Sequence, residues 1–314
     1  MLPARLPPSV NVDFPDEPGA HWEAVERGHE EGWPGRRSRS DVRPVTENLF
    51  DEVGTLLRTA ADQVVLPLFR RLDEADIEEK APGDLVTVAD RRAEELISAG
   101  LRRLRPDSVV VGEEAVAEDP ELLRHLDRAG PVWLVDPIDG TSNFAAGRPP
   151  FVLMVALLID GEPSAAWVFD PLVGTLAATR PGGGAYVNGR AVRTAGAPAD
   201  LGRLRGAAMS RYLPAALRPR VEAAGARLGE LLPGQHCAGR EYLDLLLGVQ
   251  QFVLYGHTLP WDHVPGTHLV RAAGGVARRF DGADYHPGVE GQGLLVAADE
   301  RVWAAVQEAF FGGS

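Results

Sequence analysis

Apolar positions between residues 47 and 72 recur at helical spacing: Leu49, Val53, Leu56, Leu57, Ala60, Val64, Val65 and Leu68 fall on one face. Pro67 has no amide hydrogen to give a helix interior, so the pattern predicts a helix that kinks or ends there. A Pro82-Gly83-Asp84 turn follows, then the extended Leu85-Val86-Thr87 and a second helix running to Leu104, before Pro106. Two short apolar runs, 109–111 and 131–135, read as buried strands. Beyond Phe151, β-rich runs are punctuated by Asp160-Gly161, Val173-Gly174 and Gly182-Gly183-Gly184, the pattern of an antiparallel sheet joined by hairpins.

After about residue 200 the pattern alternates. It predicts a strand over 204–209, helices over 215–232 and 240–250, a strand over 252–255, a helix over 264–274, a strand over 293–297 and a terminal helix over 300–310. Helices interleaved with sheets imply a layered α/β sandwich. Residues 1–43 differ: six prolines (Pro3, Pro7, Pro8, Pro15, Pro18, Pro34) and mixed charges without periodicity predict a flexible or loosely docked extension. The expected division is therefore that extension, an N-terminal α+β lobe over 44–200 and a C-terminal α/β lobe over 201–314.

Composition narrows the function. The 314 residues are 45% apolar, enough for a core, which excludes disorder throughout. A formal net charge of −13 argues against a nucleic-acid partner, whose phosphates need basic surface. Cys237 is the only cysteine, so nothing ties the fold to an oxidising compartment. The longest apolar run, 151–159, is too short to span a bilayer as a helix, and residues 1–10 lack a secretory apolar stretch. A cytoplasmic protein without a membrane partner is expected. Lys80 is the only lysine, and hence the single candidate for any amine nucleophile.

Three acidic clusters follow predicted strands: Gly112-Glu113-Glu114, then Asp136-Pro137-Ile138-Asp139-Gly140-Thr141, then Trp261-Asp262 just before a helix. Carboxylates repel unless cations lie between them, and hard oxygen donors select Mg²⁺ or Mn²⁺ over Zn²⁺. Pro137 stiffens the central turn so that Asp136 and Asp139 aim into one site, and the Ile138 carbonyl is left as a further oxygen donor. Gly140 and Thr141 open a helix whose unpaired N–H groups suit a phosphate. Singly, the clusters read as a solvated loop, a structural turn and a helix cap. In this order, each after a strand, they point to metal-assisted hydrolysis of a phosphate ester. Asp136 to Thr141 is one residue too long for the Asp-x-Asp-x-Thr of aspartate-nucleophile phosphatases, and Cys237 has Leu243 where a cysteine phosphatase needs arginine. His257, His263 and His268 lack the cysteines of a zinc set and read as helix-surface residues.

These motifs, with Asp84-Leu85-Val86-Thr87-Val88-Ala89-Asp90 upstream and Ala272-Ala273-Gly274-Gly275 downstream, resemble those of the inositol monophosphatase family of lithium-sensitive metal phosphatases, over residues 48–300. The segment Gly183-Gly184-Ala185-Tyr186-Val187-Asn188-Gly189-Arg190 adds to the likeness. The resemblance implies a five-layer α-β-α-β-α sandwich of the inositol monophosphatase and fructose-1,6-bisphosphatase type. It implies a homodimer that hydrolyses a small polyol or sugar-type phosphate with Mg²⁺-activated water. By motif position Glu113, Asp136 and the Ile138 carbonyl would hold one ion. Asp136, Asp139 and Asp262 would hold a second, and Glu113 would touch a third. Asp90 would bond Thr141, which with Glu113 activates the water, while Gly140 and Thr141 bind the phosphate. The substrate side departs from the family: His236-Cys237-Ala238 replaces Gly-Ser/Thr-Ala, and Tyr255 stands where a glutamate contacts inositol hydroxyls. Cys237, Ala238, Arg240 and Tyr255 are the candidate substrate contacts, Arg240 being equally readable as solvent-facing. Histidinol phosphate, fructose 1,6-bisphosphate and adenosine 3′,5′-bisphosphate are alternative substrates, and a non-catalytic regulator of the same fold is the second function class.

Overall fold

The computed structural model describes residues 46–312 apart from 181–182, 195, 197–199, 210–212, 214, 216 and 289–292. The extension expected over 1–43 lies outside the described residues. Thr46 opens α1 (Glu47–Ala60) by accepting the Leu49 N–H at 3.2 Å. The helix passes through a π-helical turn, Ala61–Val65, into α2 (Leu66–Leu68), and the chain leaves helical geometry at Phe69, two residues after Pro67. β1 (Ile77–Ala81) and β2 (Asp84–Thr87) form an antiparallel hairpin. Thr87 then starts α3 (Val88–Leu104) with a capping box: its side chain takes a helix N–H while Asp90 reaches back to the Thr87 N–H.

The seven-stranded sheet follows. Its strands are β3 (Val109–Gly112), β4 (Pro131–Asp139), β5 (Val152–Ile159), β6 (Glu162–Asp170), β7 (Thr175–Thr179), β8 (Ala185–Val187) and β9 (Arg190–Val192), in chain order across the sheet. Only β3 and β4 run parallel. Two short helices interrupt it, α4 (Glu113–Glu118) after β3 and α5 (Thr141–Ala145) after β4. Gly183 and Gly184, both at positive φ, lie between the antiparallel β7 and β8, as a hairpin requires; Gly182 lies outside the described residues.

The second sheet has the order β11-β10-β12-β14-β13. Its elements are β10 (Arg205–Ala208), α6 (Arg218–Gly225), β11 (Glu230–Leu232), α7 (Ala238–Leu246), β12 (Phe252–Tyr255), α8 (Pro260–Ala272), β13 (Val276–Arg278), β14 (Leu294–Ala297) and α9 (Glu300–Phe311). The helix expected over 215–232 is thus only α6. Residues 230–232 instead pair in parallel with β10, a long-range choice that a three-residue run cannot announce. The helix expected to begin at 264 begins at Pro260, where a missing N–H costs nothing. Trp261-Asp262 therefore sits in the first turn of α8 and not ahead of it.

Alternation along the strands divides the core into layers. In β5, Leu153, Val155 and Leu157 pack with residues of α1 and α3, while Val152, Met154, Ala156 and Leu158 pack with those of α7 and α8. In β12, Val253 and Tyr255 join the same α7–α8 layer from the other side, whereas Phe252 and Leu254 pack with α6 and α9. The result is the expected five-layer α-β-α-β-α sandwich, with α7 and α8 enclosed between the two sheets. Among the described residues no helix is long and apolar enough to cross a membrane.

The middle layer tolerates little extra volume. A Cβ at Gly266 of α8 would overlap the Tyr242 ring of α7, which is fully buried. Gly266→Ala should therefore lower the unfolding free energy by about 2–3 kcal/mol in urea denaturation. An unchanged midpoint would show that the two helices can separate without loss.

Candidate active site

The central motif lies at the end of β4. Residues three apart on a regular strand face opposite sides, but the register with β5 breaks between Asp136 and Asp139. The break leaves Asp139 near enough for its charge to raise the pKa of both Asp136 and Asp262. Gly140 follows at φ 96°, and a Cβ there would lie 2.9 Å from the Pro150 carbonyl oxygen, so the turn into α5 requires glycine. Glu113 comes from the first residue of α4 and Asp262 from the first turn of α8. One ligand oxygen each from Glu113, Asp136 and Asp262 lies within 4.8 Å of the others.

Electrostatics mark the place. Burial, then Glu113 and Asp139, push the Asp136 carboxyl well above the ordinary range. Asp262 is pushed the same way by burial, Asp139 and Glu113. Asp136 Oδ1 is buried with no hydrogen-bond partner. Three converging carboxylates with an unpartnered buried oxygen fit a hard divalent cation, and the donor set is all oxygen.

Asp139 has a second task. Its carboxylate accepts the Ala238 N–H at 3.1 Å, the Gly239 N–H and the Cys237 thiol at 3.4 Å, so it caps the N-terminus of α7. Burial nevertheless holds it up to about 6, the three donors pulling downward. Oδ2 uses both its lone pairs on the Gly239 N–H and the Cys237 thiol, whereas Oδ1, bonded to the Ala238 N–H, keeps one beyond these bonds. Asp90 is buried at the start of α3. Its Oδ2 takes the Thr87 hydroxyl and N–H, and its Oδ1 lies 3.0 Å from Thr141 Oγ1, which is also 3.0 Å from the Ile138 carbonyl. Burial raises Asp90 to about 6.

Sequence reasoning missed the role of Lys80. It reaches from β1 to place Nζ 2.8 Å from Glu113 Oε1 and 3.1 Å from Glu114 Oε1. Burial disfavours the ammonium, but Glu113 and Glu114 outweigh it and hold Lys80 above its usual value. The lysine is thus a counter-ion and not a nucleophile. Its uniqueness in the sequence was the available signal. Glu114, buried beside Glu113, is raised to about 8.

The substrate-side candidates are placed differently from one another. Arg240 is not simply solvent-facing: it bridges Asp170, at 3.2 Å, and Asp244. Tyr255 is turned into the core, stacked on Tyr242 at 5.4 Å, with its hydroxyl on the Ala238 carbonyl at 3.3 Å; an apolar ring on an inward strand position is more stable there than facing a polar site. Cys237 is buried against Asp139, and the Ala238 N–H is already given to that residue. His263 is not a helix-surface residue. It is buried in the middle layer, between the Tyr242 hydroxyl and the His257 carbonyl, each at 2.9 Å.

A five-layer sandwich with carboxylates gathered at the end of β4 is the inositol monophosphatase and fructose-1,6-bisphosphatase type of fold. The description of the inositol monophosphatase family matches residues 47–310, and the chain belongs to that family. An inositol-1-monophosphatase of Mesorhizobium japonicum is 30% identical over 250 residues, covering 77% of this chain and 88% of that one. A Xylella fastidiosa protein named Nus factor SuhB is 28% identical over 255 residues, covering 79% and 90%. The inositol monophosphatase structure from Thermotoga maritima superposes with a TM-score of 0.71 at 24% identity, over 84% of this chain and 96% of that one.

The raised carboxyls make stability depend on pH and cations together. Folded-state values above those of exposed carboxylates mean that the cation-free protein is favoured at acid pH. That stability is lost as pH rises through about 6, for Asp90 and Asp139, and about 8, for Glu114. Buried His263, lowered to about 3, and His268, lowered to about 4, act oppositely but equally with and without cation. The rise in Tm on adding Mg²⁺ over EDTA should therefore grow by about 5 °C between pH 5 and pH 8. A constant rise across that range would contradict the assigned cluster.

Proposed function

We propose that the chain is a Mg²⁺-dependent phosphomonoesterase acting on a small polyol or sugar-type phosphate. The observation that carries this reading is the meeting of Glu113, Asp136 and Asp262 beside the Gly140–Thr141 turn. Glu113, Asp136, the Ile138 carbonyl, Asp139 and Asp262 would hold two or three Mg²⁺ ions, with Mn²⁺ as a substitute. Bound there, the ions supply Lewis-acid polarisation of the ester and a lowered pKa of water.

The chain's own groups do the orienting. Asp90, fixed by the Thr87 capping box, accepts the Thr141 proton, which leaves Thr141 Oγ1 free to accept a proton from water. The N–H groups of Gly140 and Thr141 receive the phosphate. Glu113, whose Oε1 accepts the Lys80 ammonium, is the carboxylate that would take a proton from the water. The same reading takes the protein to be a cytoplasmic homodimer inhibited by Li⁺, as the motif resemblance implies, and the single cysteine is in keeping with that compartment.

Inorganic phosphate release from inositol monophosphate, histidinol phosphate, fructose 1,6-bisphosphate and adenosine 3′,5′-bisphosphate, with and without Mg²⁺, tests the reading and selects the ester. Asp136→Asn should lower release at least ~100-fold without unfolding the protein; undiminished turnover would remove Asp136 from the reaction. Likeness to a protein named Nus factor SuhB favours a second reading, a regulator that retains the fold. Absence of phosphate release from all four esters, in a folded protein that binds Mg²⁺, would favour that reading over the first.

A further inference from the structure

Helix α3 carries a second buried carboxylate, Glu94, one turn beyond Asp90 and so on the same face. Nothing in the reaction described above uses it. Both its oxygens are engaged: Oε2 accepts the Glu114 N–H at 2.8 Å and Oε1 accepts the Ala115 N–H at 3.0 Å. These amides belong to the first turn of α4 and have no partner within the helix. The residue before α4 is Gly112, which offers no side-chain cap, so a carboxylate from another helix does the capping.

Gly112 is also what makes the arrangement fit. Its φ of −102° is open to any residue, so the backbone does not require glycine there. Space does: a Cβ on Gly112 would overlap the Glu94 carboxylate. The glycine of Gly112-Glu113-Glu114 is therefore explained by Glu94, and the two form one device. It is a demanding one. Burial raises the Glu94 carboxyl to about 6, the two amides pulling it down and the Glu113 charge adding to the rise.

We propose that Glu94 is a positioning residue for Glu113: by gripping the first turn of α4 it fixes the Glu113 carboxylate at the cation site, and by sharing α3 with Asp90 it sets Glu113 in register with Thr141. The proposal rests on the cation-site reading. It makes α3 the spacer between the group that orients water and the group that holds the ion.

The test is Mn²⁺ binding to the folded full chain, read from the electron paramagnetic resonance of free Mn²⁺ without turnover. Glu94→Gln keeps the volume but turns an NH₂ toward one of the two amides. It should raise the Mn²⁺ dissociation constant on the order of tenfold, with the unfolding midpoint in EDTA unchanged or higher. Gly112→Ala should weaken binding similarly, and the double variant should be no worse than the weaker single one, because both act on one contact. Wild-type Mn²⁺ affinity in Glu94→Gln overturns the proposal. So does a lowered midpoint with unaltered affinity, the mark of a cap that only stabilises α4. Asp136→Asn separates the two levels: lost binding there with normal binding in Glu94→Gln sinks this proposal alone. Normal binding in Asp136→Asn sinks the cation site and the proposal together.

Discussion

Mutual repulsion of buried and half-buried carboxylates is the constraint on which the rest of the structure turns. Oxygens of Glu113, Asp136 and Asp262 within 4.8 Å of one another would cost about 3 kcal/mol for each ionised pair at an effective dielectric near 20. Such a cluster persists only with protons, a counter-ion or a cation in place. The fold answers with Lys80 on one side and with carboxyls raised toward neutrality on the other. Neither answer is permanent, which makes the site receptive to a divalent cation.

Holding the groups together is a matter of delivering each on a stiff element. Asp136 arrives on β4, buried throughout its length between two helical layers. Asp262 arrives on α8, enclosed between the sheets, and Glu113 on α4, whose first turn is held by Glu94. Because the elements are packed on both faces, the carboxylates cannot relax by moving apart without opening the core. Repulsion at the site is thus sustained by apolar burial elsewhere.

Asp139 ties the two halves. It stands at the end of a strand of the first sheet and caps α7, the helix that packs against Tyr255 of the second. Cys237 and Tyr255 lie in that connection and face inward. Arg240, held between Asp170 and Asp244, belongs to the rim of the same helix.

Local physics made much of this legible in advance. The period of α1 and α3 and the helix start at Gly140-Thr141 depend on neighbours along the chain, and the sequence displays them. The motif order revealed the family and which carboxylates to watch. Short strands such as β11 and β13 were not legible, because three residues carry no period and their partners lie far away. Nor were the Lys80 ion pairs, the capping of α7 by Asp139 or the grip of Glu94 on α4. These join residues separated by 33, 99 and 20 positions, and only packing decides which donors an acceptor will meet. Charge type and local conformation were written in the chain; distance and burial, which determine what those charges do, came with the tertiary fold.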